Sequence, residues 1–222
     1  MTSNQFSIRL HEARKMMGLS MEKLAELTGG IITKQSISRY EKGLMLPKRV
    51  AKLAMAKALN ISDSYFDGTN ISIDVPMLRT TSNGKLSEDE LQALEAKLSF
   101  WAEQYLAKEK EAGFPTQFNN PIEGTKISTL EDAIHAADLL REKWHCGDGP
   151  IASILRLLER KGIMILAATL PDYVFGMSTW ADKKHPLMIL DFNPEKSPVE
   201  KFRFTAVHEL AHLLFLFPPY YI

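Results

Sequence analysis

His208-Glu209-Leu210-Ala211-His212 sets two imidazoles four residues apart with a carboxylate between them. If this segment is helical, about 3.6 residues per turn bring both histidines to one face, near enough to share one metal ion. Glu209 is then placed to take a proton from water on that ion. The chemistry implied is metal-assisted hydrolysis, with His208 and His212 as ligands and Glu209 as general base. Cys146 is the only cysteine, which leaves no internal disulfide and no cysteine-based zinc cluster, so histidines and carboxylates must hold any metal. A catalytic zinc normally takes three protein ligands plus water. Asp191, Glu195 and Glu200 are open as the third, and the spacing selects none of them.

The element carrying this motif should be a helix that Ser197-Pro198-Val199-Glu200 opens with capping-box spacing, Pro at its first helical position, and that Pro218-Pro219 closes. Phe202, Phe204, Ala206, Val207, Leu210, Ala211, Leu213, Leu214, Phe215, Leu216 and Phe217 make it apolar nearly all round, which predicts burial. Three polar side chains buried without partners would cost several kcal/mol in total, so either a metal or a hydrogen-bond network must satisfy them. Upstream, Ile163 to Ala168, Val174 to Trp180 and Leu187 to Phe192 are short and apolar or alternating, and predict three strands. Helices are expected from about Thr129 to His145 and from Ile151 to Lys161. Cys146 lies beside His145, but neighbouring residues on a helix point apart, so a nucleophile role is not favoured. His11, His135 and His185 read as surface or boundary residues, and Trp101, Trp144 and Trp180 as core.

A second chemistry lies at the amino end. Thr33, Lys34, Gln35, Ser36, Ser38 and Arg39 form a polar run in which Gln suits adenine, Arg or Lys suits guanine, and the hydroxyls suit phosphate oxygens or base edges. Ile37 and Tyr40 point the other way. Five short helical segments are expected over residues 1–66. Ile8, Leu10, Ala13 and Met17 stripe the first, which Gly18 stops; Ser20 caps the second, with Leu24, Ala25 and Leu27 inward, and Gly29-Gly30 breaks it. Thr33 caps the third, ended by Gly43; Pro47 opens a fourth running to Leu59; Ser62 caps a last turn through Phe66. A short Gly-containing turn between two such helices is what a helix-turn-helix requires.

Charge separates the two ends. Residues 1–66 hold eleven Lys/Arg against five Asp/Glu, whereas the remainder is acidic by the same margin. That asymmetry points to a polyanion at the amino end, with double-stranded DNA as the leading partner. No run approaches the roughly 18 apolar residues of a membrane span, and Met1 to Lys15 lacks a signal-peptide core, so a cytoplasmic protein with no membrane partner is expected. Residues 67–86, with Gly68, Asn70, Pro76, Ser82, Asn83 and Gly84, read as a linker. Ser87-Glu88-Asp89-Glu90 then opens a connector helix, 87–112, whose Leu91, Leu94, Leu98, Trp101 and Tyr105 form a stripe for docking or for a homodimer. The fold class expected is mainly α with a small β-sheet.

Two resemblances extend this reading. Leu19-Ser20, Leu24-Ala25, Ile37-Ser38, Glu41, Gly43-Leu44 and Pro47 resemble the Xre family of phage-repressor-like helix-turn-helix domains over residues 6–66. The turn Gly29-Gly30-Ile31-Ile32 is about two residues longer than that family usually shows, and Met21 stands where Gln often touches a phosphate. The resemblance also implies an ion pair between Arg14 and Glu41. Arg203-Phe204-Thr205-Ala206-Val207-His208-Glu209-Leu210-Ala211-His212-Leu213-Leu214-Phe215, with the strand and helices before it, resembles the ImmA/IrrE metallopeptidases over about residues 129–217. That implies a zincin-like α+β domain over 113–222, zinc on His208 and His212, and cleavage of a repressor-type protein. The family's third ligand is an acidic residue on a later helix, whereas this sequence stops ten residues after His212. The domain is therefore expected to be incomplete and, in this form, inactive. Three functions follow: a DNA-binding regulator whose carboxyl domain senses a signal or contacts a partner, a zinc endopeptidase, or an antitoxin-like module that binds a toxin and keeps the fold without the chemistry.

Overall fold

The computed structural model describes residues 3–68, 71–73, 87–113, 117–170 and 174–215. Most of the expected linker, Phe217, and the Pro218-Pro219 stop lie outside the described residues. The chain forms two compact units divided between Ala107 and Lys108. It is mainly helical with one small sheet, and among the described residues no helix is long and apolar enough to cross a membrane.

The amino unit begins with α1 (Ser3–Met16), α2 (Met21–Leu27), α3 (Lys34–Glu41) and α4 (Arg49–Ala58), then a 3₁₀ turn, Asp63–Asp67. Ser20 and Thr33 cap α2 and α3 by accepting from Lys23 N and Ser36 N, and Gly29 and Gly30 make the turn between them at φ +66° and +78°. Pro47 lies outside α4, whose N-cap is Lys48 with no side-chain cap bond. Phe6, Leu10, Ala13, Leu24, Ile37 and Met55 are fully buried together, with Tyr40 and Phe66 beside them. Ile8, Met17 and Leu27, expected inward, are 38%, 46% and 50% exposed; Leu10 and Ala13, the other two members of the expected α1 stripe, are fully buried, and Phe6 completes the buried face.

The fifth helix, α5 (Glu88–Ala112), opens with the expected capping box: Glu90 accepts from Ser87 N at 2.8 Å and Glu90 N donates to Ser87 Oγ at 3.3 Å. Leu91, Leu98, Ser99 and Ala102 are buried within the amino unit, and Phe100 packs on Tyr65 with ring centroids 5.5 Å apart. Two members of the expected stripe, Leu91 and Leu98, are thus already covered by their own chain. Leu94, Trp101 and Tyr105 are half-buried.

In the second unit, Thr129 caps α6 (Leu130–Lys143) through a reciprocal box with Asp132, and Ser153 caps α7 (Ile154–Arg160). Strands β1 (Met164–Ala168), β2 (Gly176–Ala181) and β3 (His185–Asp191) form a sheet in the order β1-β3-β2. β3 pairs parallel to β1, with Met164 opposite Leu187, and antiparallel to β2, with Gly176 opposite Leu190. Pro186 to Leu190 are all buried, as a continuous apolar run in a central strand should be, and Asp191 is buried with them. The last described helix, α8 (Val199–Leu214), lies on β2 and β3. Pro198 is its N-cap and the expected capping box is absent, because Ser197 is drawn to Asp191, Oγ to Oδ2 3.4 Å.

Candidate nucleic-acid interface and histidine pair

On α3, Ile37 and Tyr40 are buried, and this fixes which side faces outward. Gln35 and Arg39, four residues apart, are exposed on that side. The other expected contacts are partly engaged. Thr33 and Ser36 hydroxyls lie 3.1 Å apart, Lys34 forms an ion pair with Glu22 of α2, and Ser38 is half-buried. The Lys34 hydrogen bond holds the Glu22 carboxyl below the ordinary value. Lys48 and Arg49 at the start of α4 are exposed, whereas Lys52 is held by Asp67 at 2.8 Å.

The orientation of α3 is set from α1. Arg14 and Glu41 come together, Nε to Oε1 at 2.6 Å and Nη2 to Oε2 at 2.8 Å, and Arg14 Nη1 also donates to Leu19 O at 2.8 Å. His11 Nδ1 lies 3.0 Å from Glu41 Oε2. Burial opposes the charge on Glu41, but the hydrogen bonds of Arg14 and His11 outweigh it and hold the carboxyl below the ordinary glutamate value.

Residues 10–66 match the helix-turn-helix family model. That segment is a helix-turn-helix domain of the Xre type. The chain therefore carries the DNA-binding domain of a transcriptional regulator. No match was found among curated proteins or among solved structures.

In the second unit, α8 carries His208 and His212 with their Nε2 atoms 3.2 Å apart and their rings edge to face. His208 is exposed and His212 half-buried, contrary to the expected all-round burial of this helix. Phe204 and Val207 are 73% and 49% exposed. The reason is that the sheet and α7 cover one side: Thr205, Ala206, Glu209, Leu210, Leu213 and Leu214 are buried, while Phe204, Val207 and His208 are exposed on the other.

Glu209 is on the buried side, 5% exposed, and Ser178 of β2 donates to its Oε2 at 2.8 Å. Gly176 makes this approach possible, because a Cβ there would stand 2.6 Å from Thr205 Cγ2 and 3.3 Å from Glu209 Cγ. Neither Ser178 nor Gly176 was legible as a site residue, since nothing in the local pattern of β2 announces its neighbour on α8. Among the described residues no cluster of three His, Cys, Asp or Glu side chains gathers to hold a metal. Asp191, one of the open third ligands, is fully buried and engaged by Leu170 N at 2.8 Å and Lys196 Nζ at 3.5 Å. Glu195 and Glu200 are exposed and belong to no such cluster among the described residues.

Proposed function

We propose that this chain is a sequence-specific transcriptional regulator that reads an operator in double-stranded DNA with Gln35 and Arg39, while its carboxyl unit senses a signal or contacts a protein partner. The observation that carries it is the exposed Gln35/Arg39 face of α3 in a matched helix-turn-helix domain, backed by buried Ile37 and Tyr40. Such a helix enters the major groove and presents bidentate groups to base edges. Lys48 and Arg49 supply phosphate contacts that position without specifying. Selection of duplexes from a random pool by the whole chain tests this. One enriched sequence, bound with an affinity that falls steeply as salt rises, is the expected result. Equal affinity for every duplex, or no dependence on salt, would overturn it.

A second reading, a zinc metallopeptidase-like carboxyl unit, is favoured by the geometry of the histidine pair. Two ligands about 2.0–2.1 Å from one tetrahedral ion stand roughly 3.4 Å apart. The Nε2 atoms of His208 and His212 are 3.2 Å apart, so these two side chains fit a shared zinc. Zinc held there would polarise a peptide carbonyl and acidify water. Glu209 supplies the carboxylate next to the pair, and Ser178 fixes one of its oxygens. Equilibrium dialysis of the protein with zinc, before and after His208→Ala, tests the pair. Binding lost in the variant supports the reading, and binding unaffected by it rejects it. Cleavage of a repressor-type protein that disappears in Glu209→Gln would make the carboxyl unit an enzyme.

A further inference from the structure

Glu22 and Lys34 meet across the turn of the helix-turn-helix. Glu22 lies in the first turn of α2, and Lys34 is the first residue of α3, directly after its N-cap Thr33. The Lys34 ammonium donates to Glu22 Oε1, and the two side chains are 53% and 55% exposed. A surface pair of this kind adds little to stability, so its place in the domain decides what it does. Arg39 of α3 and Lys48 and Arg49 at the start of α4 are exposed too, and have no acidic partner among the described residues.

At this place charge and sequence reading conflict. The first residues of a reading helix reach base edges, while the helix before it crosses the phosphate backbone. An unpaired ammonium on a flexible four-carbon stem would be drawn to the nearest phosphates, which adds affinity for any duplex and carries no sequence information. Glu22 offsets that charge, and its carboxylate stands on the helix that meets the backbone, where phosphates repel it. One ammonium N–H goes to Glu22. The others remain for an acceptor, and guanine offers two, O6 and N7, on its major-groove edge.

We propose that Glu22 is a specificity-determining residue of the DNA-binding domain: it keeps Lys34 off the phosphates and holds its ammonium for one guanine of the operator. Lys34 touches the base, and Glu22 acts through it as a positioning residue. This role rests on the operator reading, and adds to Gln35 and Arg39 a third reader whose charge is balanced within the domain. An acid in the first turn of α2 also suits the amino end of a helix, but that effect needs no partner on α3 and does not alter base choice.

Fluorescence anisotropy of the full chain tests this, with its best selected duplex, the single-base-pair variants of that duplex and a random duplex, each over a range of salt. Glu22→Gln should bind the random duplex about threefold or more tightly at low salt, with a salt slope steeper by about one phosphate contact. In the same variant, discrimination at one G·C position should fall about tenfold. Lys34→Ala should lose that discrimination at the same position, and change the slope far less than Lys48→Ala does. Glu22→Lys combined with Lys34→Glu keeps the pair and the net charge. It should restore the shallow slope and prefer cytosine at that position, because cytosine N4 donates to a carboxylate. This exchange carries the test if Glu22→Gln alone does not fold. A selective wild-type chain whose slope and discrimination are unchanged in Glu22→Gln would overturn this role and leave the operator reading standing. Lys34→Ala that weakens every duplex alike would make Lys34 a phosphate contact and overturn it as well, and a wild-type chain that selects no sequence would overturn both.

Discussion

Arg14 grips Glu41 with two hydrogen bonds of 2.6 and 2.8 Å, and so ties the first helix of the helix-turn-helix domain to the end of the reading helix. Their side chains are 6% and 5% exposed, which takes the pair well out of the class of surface salt bridges of negligible worth. Removing one partner strands the other charge in a dry site. Arg14→Ala should destabilise the amino unit by about 3–5 kcal/mol, read as a lower midpoint in urea. A loss below about 1 kcal/mol would mean that the pair is solvated in solution.

The same pair sets an acid limit. The folded Glu41 carboxyl titrates below its ordinary value of 4.5, so the unfolded chain binds the proton more readily than the folded one. Its stabilising contribution is complete above that value and is lost as pH falls from there through the folded titration. Thermal unfolding between about pH 6 and 3 should show the helix-turn-helix melting point falling in that window. In Glu41→Gln the fall should be shallower, starting from a lower plateau, and an unchanged slope would assign the acid sensitivity to other groups.

For DNA, Gln35→Ala and Arg39→Ala should each cost about 1–3 kcal/mol on the best operator and relax preference at one base pair. Lys48→Ala should weaken all duplexes about equally and reduce the salt slope by about one. Lys52 belongs in neither group. Its ammonium is committed to Asp67 at 2.8 Å, so its replacement acts on the end of the domain first. Fluorescence anisotropy on matched and single-mismatch duplexes separates these outcomes, and a uniform loss in Arg39→Ala would demote that residue to a phosphate contact.

What the sequence makes visible here are the local signals. Ser20, Thr33 and Ser87 each mark a helix start because a short hydroxyl side chain satisfies backbone donors that the helix leaves free, and such marks need no knowledge of the fold. The segment Leu187 to Phe192 reads as a strand from its apolar pattern alone, but the central place of β3 in the order β1-β3-β2 depends on pairing across the sheet. Arg9 defies reading from composition altogether. A charged residue is expected outside, and only the arrival of Tyr65 and Glu103 from distant segments accounts for its complete burial. The α8 helix misleads in the opposite direction, since a nearly all-apolar pattern predicts burial on every side while the sheet and α7 cover one side only, leaving Phe204 and Val207 exposed.

Glu209 depends on two residues of β2 that have no polar chemistry in common. Ser178 gives its hydroxyl to Oε2 at 2.8 Å, and Gly176 leaves room for α8 to come that close. Ser178→Ala should leave a buried carboxylate without that donor and cost about 1–3 kcal/mol in the carboxyl unit. Gly176→Ala should cost a similar amount for a different reason, since its Cβ would sit 2.6 Å from Thr205 Cγ2 and force α8 outward. Glu209→Gln retains an acceptor for Ser178 and should be milder than either. A double-mutant cycle between Ser178→Ala and Glu209→Ala separates the causes: coupling is expected for that pair, because each change removes one end of the same hydrogen bond. DNA affinity should be unchanged in all these variants, since none of these residues belongs to the helix-turn-helix segment, 10–66. If Ser178→Ala leaves the unfolding midpoint where it was, the hydrogen bond contributes nothing and Glu209 is held by packing against Gly176 alone.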